Sequence, residues 1–366
     1  MRLRTHGGNL WELTRQQGFR TEEILDFSVD LNPFGFPQET ASVITRHLED
    51  IRFYPDPDAW ELRQAIAAHH RLPADRILPG NGTAELIALL AQWRPIKKAL
   101  VVIPAFSEYE WALERTGAET LFVPTVEADR FRLKLAPERW QELLQGTDVV
   151  FLCNPNNPTG VLFPQQEVLQ VARWCEAAGA VLVVDEAFME FVEDPEGSSV
   201  VSETLRQGNL VVLRSLTKFF SVPGLRIGYL VASPSLIAGV RAFQQPWPLN
   251  TFALAVGSRL FKETEYIARS KRATAQLRGA FQRSLSAIPE LRCFESATNF
   301  ILCRVEAPDC TSAELCARLA AKGILVRNCD NFSGLEPGRF IRLAVRSQDD
   351  NSRLVEELAG IFAHAG

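Results

Sequence analysis

The sequence predicts an α/β protein, with a mostly parallel sheet in a large domain and a smaller α+β domain after it. Short apolar runs rich in β-branched residues alternate with segments of helical spacing, as in parallel sheets covered on both faces. This pattern changes at residues 244–248, where two prolines interrupt regular structure. At roughly 150 residues per domain, a chain of 366 residues is long enough for two domains.

The first segment, residues 1–45, contains one clear predicted helix, Leu10–Gln17, and a turn-rich Asn-Pro-Phe-Gly sequence at 32–35. We expect it to pack against the small domain or at the interface. The large domain is predicted over residues 46–246. Its strands are expected at 98–103, 148–153, 180–184, 209–213 and 227–231, with helices such as 84–93 and 164–178 between them.

The small domain is predicted over residues 247–366. It should begin with a long helical stretch, about residues 251–288, that no proline interrupts. Strands are expected at 292–305, 324–327 and 339–345, followed by a closing helix at 351–363.

Composition excludes several classes of protein. Hydrophobic residues make up 46% and charged residues 23%, as in folded water-soluble proteins. The net charge of −5 provides no basic field for nucleic acid or an anionic membrane. Seven cysteines, an odd number without a CxxC pair, argue against a disulfide framework and against a zinc knuckle. No apolar run approaches the ~20 residues of a membrane span or forms a signal peptide at the start, so we expect a cytoplasmic protein.

Polar residues follow three of the predicted strands, at the edge where ligands bind in parallel sheets. The turn at 154–160, Asn-Pro-Asn-Asn-Pro-Thr-Gly, holds three amide side chains, Asp185 ends a buried strand, and Lys218 follows the next strand. Singly, each has an ordinary explanation as a turn, a helix N-cap or a solvated surface lysine. Their combination indicates a catalytic site at this edge of the sheet.

Pyridoxal 5'-phosphate needs a lysine amine for a covalent bond to its aldehyde, an acid for its pyridine nitrogen and donors for its phosphate. Asp185 is predicted to keep the nitrogen protonated, and Lys218 to hold the aldehyde carbon and move a proton. Ser215, Thr217 and Arg226 are predicted to bind the phosphate, Arg226 as a fork of charged donors. The sequence therefore predicts a pyridoxal phosphate enzyme.

A second anion-binding element is the glycine-rich turn at residues 80–85, Gly-Asn-Gly-Thr-Ala-Glu. It opens a predicted helix, whose first N–H groups lack partners within the helix and favour phosphate. Gly82, Thr83 and Ala84 are therefore predicted to contribute to cofactor binding.

The motifs GNGTAE, NPNNPTG, VVDEAF and SLTKFFSVPGLRIG resemble those of fold-type-I pyridoxal phosphate enzymes, the aspartate aminotransferase superfamily that includes histidinol-phosphate aminotransferases. A closer resemblance, to the threonine-phosphate decarboxylases of the cobalamin pathway, rests on HGGN at 6–9, LDFS at 25–28 and ILVRNCDNF at 324–332. The resemblance covers nearly the whole chain. It implies an aspartate aminotransferase-like fold.

The resemblance also implies further site residues. Phe106 would stack on the pyridine ring, and Asn157 would hydrogen-bond the ring's phenolic oxygen. Arg342 would hold the substrate carboxylate. Tyr54 would reach the cofactor phosphate of a neighbouring subunit, so a homodimer with shared active sites is expected.

His6, Gly7 and Arg327 match positions around the bound phosphoamino acid in the decarboxylases. Asp30 stands where the family has an asparagine. A carboxylate ~4 Å from a phosphate charge costs about 4 kcal/mol at an effective dielectric near 20. We therefore expect Asp30 to pair with a cation such as Arg327 or His6, the alternatives being that it points away or faces a substrate cation or hydroxyl.

Two reactions fit this pattern, and which one occurs depends on the substrate bond that is held perpendicular to the cofactor ring. If Arg342 orients the carboxylate there, threonine phosphate is decarboxylated to (R)-1-aminopropan-2-yl phosphate; Phe188, where many aminotransferases have tyrosine, fits this branch. If the α-hydrogen is held perpendicular to the ring instead, the same residues catalyse a transamination, and the protein is a histidinol-phosphate aminotransferase. A transcription regulator with an aminotransferase-like ligand domain is disfavoured, because no basic helical extension precedes His6.

Overall fold

The computed structural model describes residues 6–134 and 136–363 of the chain. The expectation about a signal peptide involves the first five residues, which lie outside the described residues. The strands are β1 Leu25–Asp26, β2 Ile77–Gly80, β3 Lys98–Ile103, β4 Glu119–Pro124, β5 Val149–Cys153, β6 Val181–Asp185, β7 Leu210–Ser215, β8 Gly228–Val231, β9 Leu291–Cys293, β10 Phe300–Val305, β11 Ile324–Leu325, β12 Arg327–Asn328 and β13 Phe340–Ala344.

The helices are α1 Leu10–Gln17, α2 Glu39–Arg46, α3 Trp60–His70, α4 Gly82–Gln92, α5 Glu108–Glu114, α6 Pro137–Leu144, α7 Gln165–Ala177, α8 Pro195–Ser198, α9 Leu216–Phe219, α10 Pro234–Arg241, α11 Thr251–Leu260, α12 Thr264–Leu285, α13 Ser312–Ala320 and α14 Gln348–Ala363. No described helix is both long enough and apolar enough to span a membrane.

The large sheet has seven strands in the order β2-β8-β7-β6-β5-β3-β4. All neighbours from β7 to β4 pair in parallel, while β8 is antiparallel to both β7 and β2. The predicted mostly parallel sheet is confirmed. Connections that contain helices explain this arrangement, because parallel neighbours need a long crossover.

Alternate residues of the central strands pack into two different cores. Val150 and Leu152 of β5 belong to one apolar cluster, and Val149 and Phe151 belong to the other. Helix α7 covers the first face, and helices α4, α5 and α10 cover the second. Both faces are therefore buried, which accounts for the continuous apolar runs in the sequence.

A second sheet, in the order β12-β13-β10-β9, is antiparallel throughout. Helices α12, α13 and α14 contribute to the apolar cluster that covers it. The amino-terminal segment joins this region, because β1 pairs in parallel with β11 and the carbonyl of Phe27 accepts a hydrogen bond from Ala344 N–H at 2.9 Å. The predicted domain boundaries stay predictions.

The helices differ from the expectation in two regions of the chain. The predicted helical stretch at 251–288 is two helices, α11 and α12, separated by Phe261, Lys262 and Glu263. Phe261 stacks on His69 with ring centroids 4.3 Å apart, and Tyr266 donates a hydrogen bond to the Gly35 carbonyl at 2.6 Å. Contacts on both sides of the break thus separate the two helices, although no proline interrupts the sequence between them. Helix α2, in the first segment, is not predicted from the sequence.

Candidate active site

A cavity of about 260 Å³ lies where β5, β6 and β7 end, as the parallel sheet predicts. Every predicted site residue except Tyr54 lines it. These residues are His6, Gly7, Asp30, Gly82, Thr83, Ala84, Phe106, Asn157, Asp185, Ser215, Thr217, Lys218, Arg226, Arg327 and Arg342.

Asp185 is the last residue of β6 and is 3% exposed. Its Oδ2 accepts a hydrogen bond from the Tyr109 hydroxyl at 2.7 Å, and its Oδ1 accepts one from Ala187 N–H at 2.9 Å. Burial raises the pKa of the Asp185 carboxyl, while these hydrogen bonds and Lys218 act in the opposite direction. A cation placed beside Asp185 would offset part of the cost of burying its negative charge.

Lys218 lies in the short helix α9, which follows β7 directly. Burial lowers the pKa of its amine, Arg342 and Arg226 lower it further, and Asp30 and Asp185 oppose that change. A lowered pKa increases the fraction of neutral amine, which is the form that attacks an aldehyde. Lys218 therefore has the environment of a reactive lysine rather than that of a solvated surface group.

The backbone around Lys218 is held from two other parts of the chain. Asn32 N–H donates to the Lys218 carbonyl at 3.1 Å, and Asn32 Nδ2 donates to the Phe219 carbonyl at 2.8 Å. The Tyr266 hydroxyl shares its one hydrogen between the Gly35 carbonyl and the same Phe219 carbonyl, which is 3.0 Å away. These contacts fix the lysine turn to the amino-terminal segment and to helix α12.

A cradle for an anion forms where α4 begins. Gly82 has φ of +75°, and a Cβ built on it would lie 2.7 Å from Arg226 Nη2, so no larger residue fits without a shift. Ser215 and Thr217 line the same cavity as Thr83 and Arg226. The first N–H groups of α4 and the Arg226 guanidinium together make a site suited to a phosphate.

Arg342, on β13, is a buried cation with several partners. Its Nη1 donates to Asn157 Oδ1, its Nη2 donates to the Ser28 carbonyl at 3.2 Å, and its guanidinium lies 5.0 Å from the centroid of the Phe300 ring. Arg342 Nη2 is also 2.7 Å from Asp30 Oδ2, in an ion pair whose two side chains are 7% and 3% exposed.

The expectation that Asp30 pairs with a cation is confirmed, but the principal partner differs. Among the described residues, its ion pair is with Arg342 rather than with Arg327 or His6. Arg327 donates to Asn331 Oδ1 at 2.7 Å and lies over Phe332, while His6 Nε2 is 3.0 Å from Glu108 Oε1. A backbone hydrogen bond explains the outcome, since Ala344 N–H at the end of β13 donates to the Phe27 carbonyl and so holds the segment after β1 beside the strand that carries Arg342.

The family model for aminotransferase class I and II matches residues 22–358. The chain belongs to the aminotransferase class I and II family. It is 36% identical over 359 residues to threonine-phosphate decarboxylase of Salmonella typhimurium, covering 98% of this chain and 96% of that protein. It is 37% identical over 321 residues to histidinol-phosphate aminotransferase of Desulfitobacterium hafniense, covering 86% and 85%.

A solved structure of the same family, L-threonine-O-3-phosphate decarboxylase from Porphyromonas gingivalis, superposes with a TM-score of 0.83 at 27% identity. The match covers 93% of this chain and 100% of that one. The predicted aspartate aminotransferase-like α/β fold is confirmed.

The side chains of this family member fit pyridoxal phosphate at each of its polar groups. A buried acid, Asp185, and a lysine of lowered pKa, Lys218, line the same cavity as the anion cradle. Phe106 lines the cavity as the predicted stacking residue, and its ring centroid lies 5.9 Å from that of Tyr109. Within the described residues, no three His, Cys, Asp or Glu side chains are grouped so as to hold a metal ion.

Tyr54 lies away from the cavity. Its side chain is 78% exposed and stacks on Trp247 with ring centroids 4.4 Å apart. Together with Phe53 and Trp60 it lines a separate surface hollow. Its predicted role at the cofactor of a neighbouring subunit stays a prediction.

Sequence reasoning missed Tyr109, Glu108, Ser28 and Phe332, all of which line the cavity. A usable signal existed for Tyr109, because it follows Phe106 by one helical turn just beyond the end of β3. Ser28 contributes its backbone carbonyl to Arg342, and no pattern in the sequence marks a backbone contact of this kind.

Proposed function

We propose that the chain is a pyridoxal phosphate-dependent carboxy-lyase that converts L-threonine O-3-phosphate to (R)-1-aminopropan-2-yl phosphate, in cobalamin biosynthesis. The observation that carries this proposal is one cavity lined by Lys218 and Asp185 and by two further cationic positions. Arg342 supplies one and Arg327 supplies the other. Two positions suit a substrate with both a carboxylate and a phosphate. The similarity to threonine-phosphate decarboxylases supports the assignment.

When bound, pyridoxal phosphate supplies an electron-withdrawing ring that accepts the electron pair of the broken bond. Asp185 holds a proton at the pyridine nitrogen through its buried carboxylate. Arg342 binds and orients the substrate carboxylate with its charged N–H groups. Lys218, once its amine is free, delivers a proton to the α-carbon after carbon dioxide has left, and its lowered pKa suits proton exchange near neutral pH.

Phe188 gives this cavity an apolar wall where many aminotransferases have a tyrosine hydroxyl. Its ring packs edge-on against Phe300, with centroids 5.0 Å apart, and the side chain is 3% exposed. Asn157 would donate to the cofactor's phenolic oxygen, and no hydroxyl at position 188 would supplement it. This arrangement supports the decarboxylase branch.

A second candidate function, histidinol-phosphate transamination, is favoured by Asp30. The Asp30 carboxylate forms an ion pair with Arg342, and histidinol phosphate has no carboxylate that would compete for this cation. The 37% identity to a histidinol-phosphate aminotransferase is equally consistent with this candidate.

The deciding experiment supplies the purified holoenzyme with threonine phosphate alone and, separately, with histidinol phosphate plus 2-oxoglutarate. We expect carbon dioxide from the first mixture without any keto acid. Glutamate formation in the second mixture, without carbon dioxide in the first, would replace the decarboxylase with the aminotransferase.

We further propose a homodimer in the cytoplasm whose active sites are shared through Tyr54. Exposed aromatic side chains near this residue, Phe53, Trp60 and Trp247, offer apolar area for a second copy of the chain. Mixing inactive Lys218→Ala and inactive Tyr54→Phe chains should restore activity, because mixed dimers contain one site with both residues intact. Absence of recovery after proven subunit exchange would refute a shared site.

A further inference from the structure

Two buried polar atoms at the Asp30–Arg342 pair have no hydrogen-bond partner among the described residues. They are Asp30 Oδ1, an acceptor, and Arg342 Nε, a donor. Both side chains line the cavity. A buried polar atom left without a partner costs about 1–3 kcal/mol, so a ligand that satisfies both atoms is favoured.

The chemistry of that ligand follows from the two atoms without hydrogen-bond partners. It has to accept a hydrogen bond from Arg342 Nε and donate one to Asp30 Oδ1. An ionised carboxylate only accepts, whereas a carboxyl that carries one proton does both. The Asp30 carboxylate and a substrate carboxylate on the same guanidinium therefore need one proton between them.

We propose that Asp30 and the substrate carboxylate share one proton on Arg342, so that binding of the substrate takes up a proton from solvent. This inference rests on the proposed function, because it assigns the substrate carboxylate to Arg342. The proton forms an O–H···O hydrogen bond between the two carboxyl groups, and the charge of the three groups becomes neutral. Asp30 thereby selects substrates whose acidic group can take part in this bond.

The charges that face Asp30 fit such an arrangement. Burial raises the pKa of the Asp30 carboxyl, Arg342, Lys218 and Arg327 lower it, and Asp26 raises it. In the free site Asp30 forms an ion pair with Arg342. A second carboxylate on Arg342 adds a negative charge at short range, and two such groups cannot both stay ionised without a large cost.

The test measures proton uptake by calorimetry of the holoenzyme in two buffers of different ionisation enthalpy. The probe is 3-phosphooxybutanoate, which is threonine phosphate without its amino group and cannot react with the cofactor. We expect wild type to take up at least about half a proton per site more than Asp30→Asn does. Its dissociation constant should rise about three- to tenfold per pH unit above neutrality, while that of Asp30→Asn should change much less.

The control ligand is sec-butyl phosphate, which keeps the phosphate but lacks the carboxylate. It should show equal proton uptake in wild type and in Asp30→Asn. Equal uptake of 3-phosphooxybutanoate by the two proteins would overturn the inference. So would binding of this probe to Asp30→Asn alone, since Asp30 would then repel the carboxylate instead of sharing a proton with it.

The outcome is separable from that of the proposed function. Carbon dioxide release from threonine phosphate without Asp30-dependent proton uptake would overturn the shared proton and keep the decarboxylase. Proton uptake without carbon dioxide release would keep the shared proton and overturn the decarboxylase.

Discussion

The two ends of the cavity differ in how completely their buried polar groups are hydrogen-bonded. At the Asp185 end, both carboxylate oxygens have donors, Tyr109 and Ala187. At the Arg342 end, Asp30 Oδ1 and Arg342 Nε lack partners among the described residues. The Asp185 end is thus organised before a ligand arrives, whereas in our proposal the Arg342 end is completed by the substrate. Such a difference suits a permanently bound cofactor at one end and an exchanging substrate at the other.

The largest effect is expected at Lys218, which lies between the two ends. Lys218→Ala removes the amine that we propose binds the cofactor and moves the proton, so activity should fall by about 10³-fold or more. Borohydride treatment should trap a cofactor adduct in wild type and none in the variant, as measured by mass spectrometry. An adduct that persists in Lys218→Ala would show that another lysine carries the cofactor.

The strand-end residues of the Asp185 end could be predicted from the sequence for a physical reason. Asp185 and Lys218 follow buried strands, and the carboxyl ends of parallel strands meet at one edge. The pairing of Asp30 with Arg342 could not be predicted in the same way. It depends on β1, β11 and β13 being brought together across nearly the full length of the chain.

Two further features are not predicted from the sequence, the contact of Tyr109 with Asp185 and the break between α11 and α12, and they have a similar origin. Tyr109 contacts Asp185 only because helix α5 packs with that face toward the end of β6. The break between α11 and α12 depends on contacts of Phe261 and Tyr266 with distant residues. The position of Tyr109 after β3 places it near the site, but tertiary packing decides both its contact with Asp185 and the helix break.

The next largest effect should come from Gly82→Ala. The left-handed backbone at this position strains any larger residue by about 1–2 kcal/mol, and the new Cβ would displace the Arg226 guanidinium. We expect the dissociation constant of the cofactor to rise about thirtyfold, measured by fluorescence titration of the apoenzyme.

Gly117→Ala is the matched control for this glycine. Gly117 has φ of +72°, and nothing lies within 4 Å of the position its Cβ would take. Both variants should lose stability, but only Gly82→Ala should lose cofactor affinity. Equal cofactor affinity of the two variants would mean that the cradle at α4 does not bind the phosphate.

Tyr109→Phe should weaken the Asp185 end by a smaller amount. A hydrogen bond to a buried charged group contributes about 1.5–3 kcal/mol, and its removal frees one oxygen of Asp185. We expect about tenfold weaker cofactor binding together with a shifted absorption band of the bound cofactor.

Tyr229→Phe controls for the loss of a buried hydroxyl, because Tyr229 hydrogen-bonds His70 Nε2 at 2.7 Å instead of Asp185. It should lower the melting temperature and leave the absorption band unchanged. An unchanged band in Tyr109→Phe would indicate that Ala187 N–H alone is enough to orient Asp185.

The smallest effect is expected at the solvent-exposed part of the cavity lining, where His6 lies beside Glu108. His6 and Glu108 form a pair at 3.0 Å with side chains 41% and 20% exposed, in contrast to the buried pair of Arg342 and Asp30. Solvent screens exposed pairs, which contribute about 0.2–1 kcal/mol. His6→Gln should therefore raise KM for threonine phosphate by no more than about fivefold and leave the melting temperature unchanged. A rise above about thirtyfold would show that substrate binding buries His6. The difference in strength between the exposed His6–Glu108 pair and the buried Arg342–Asp30 pair would then hold only in the absence of substrate.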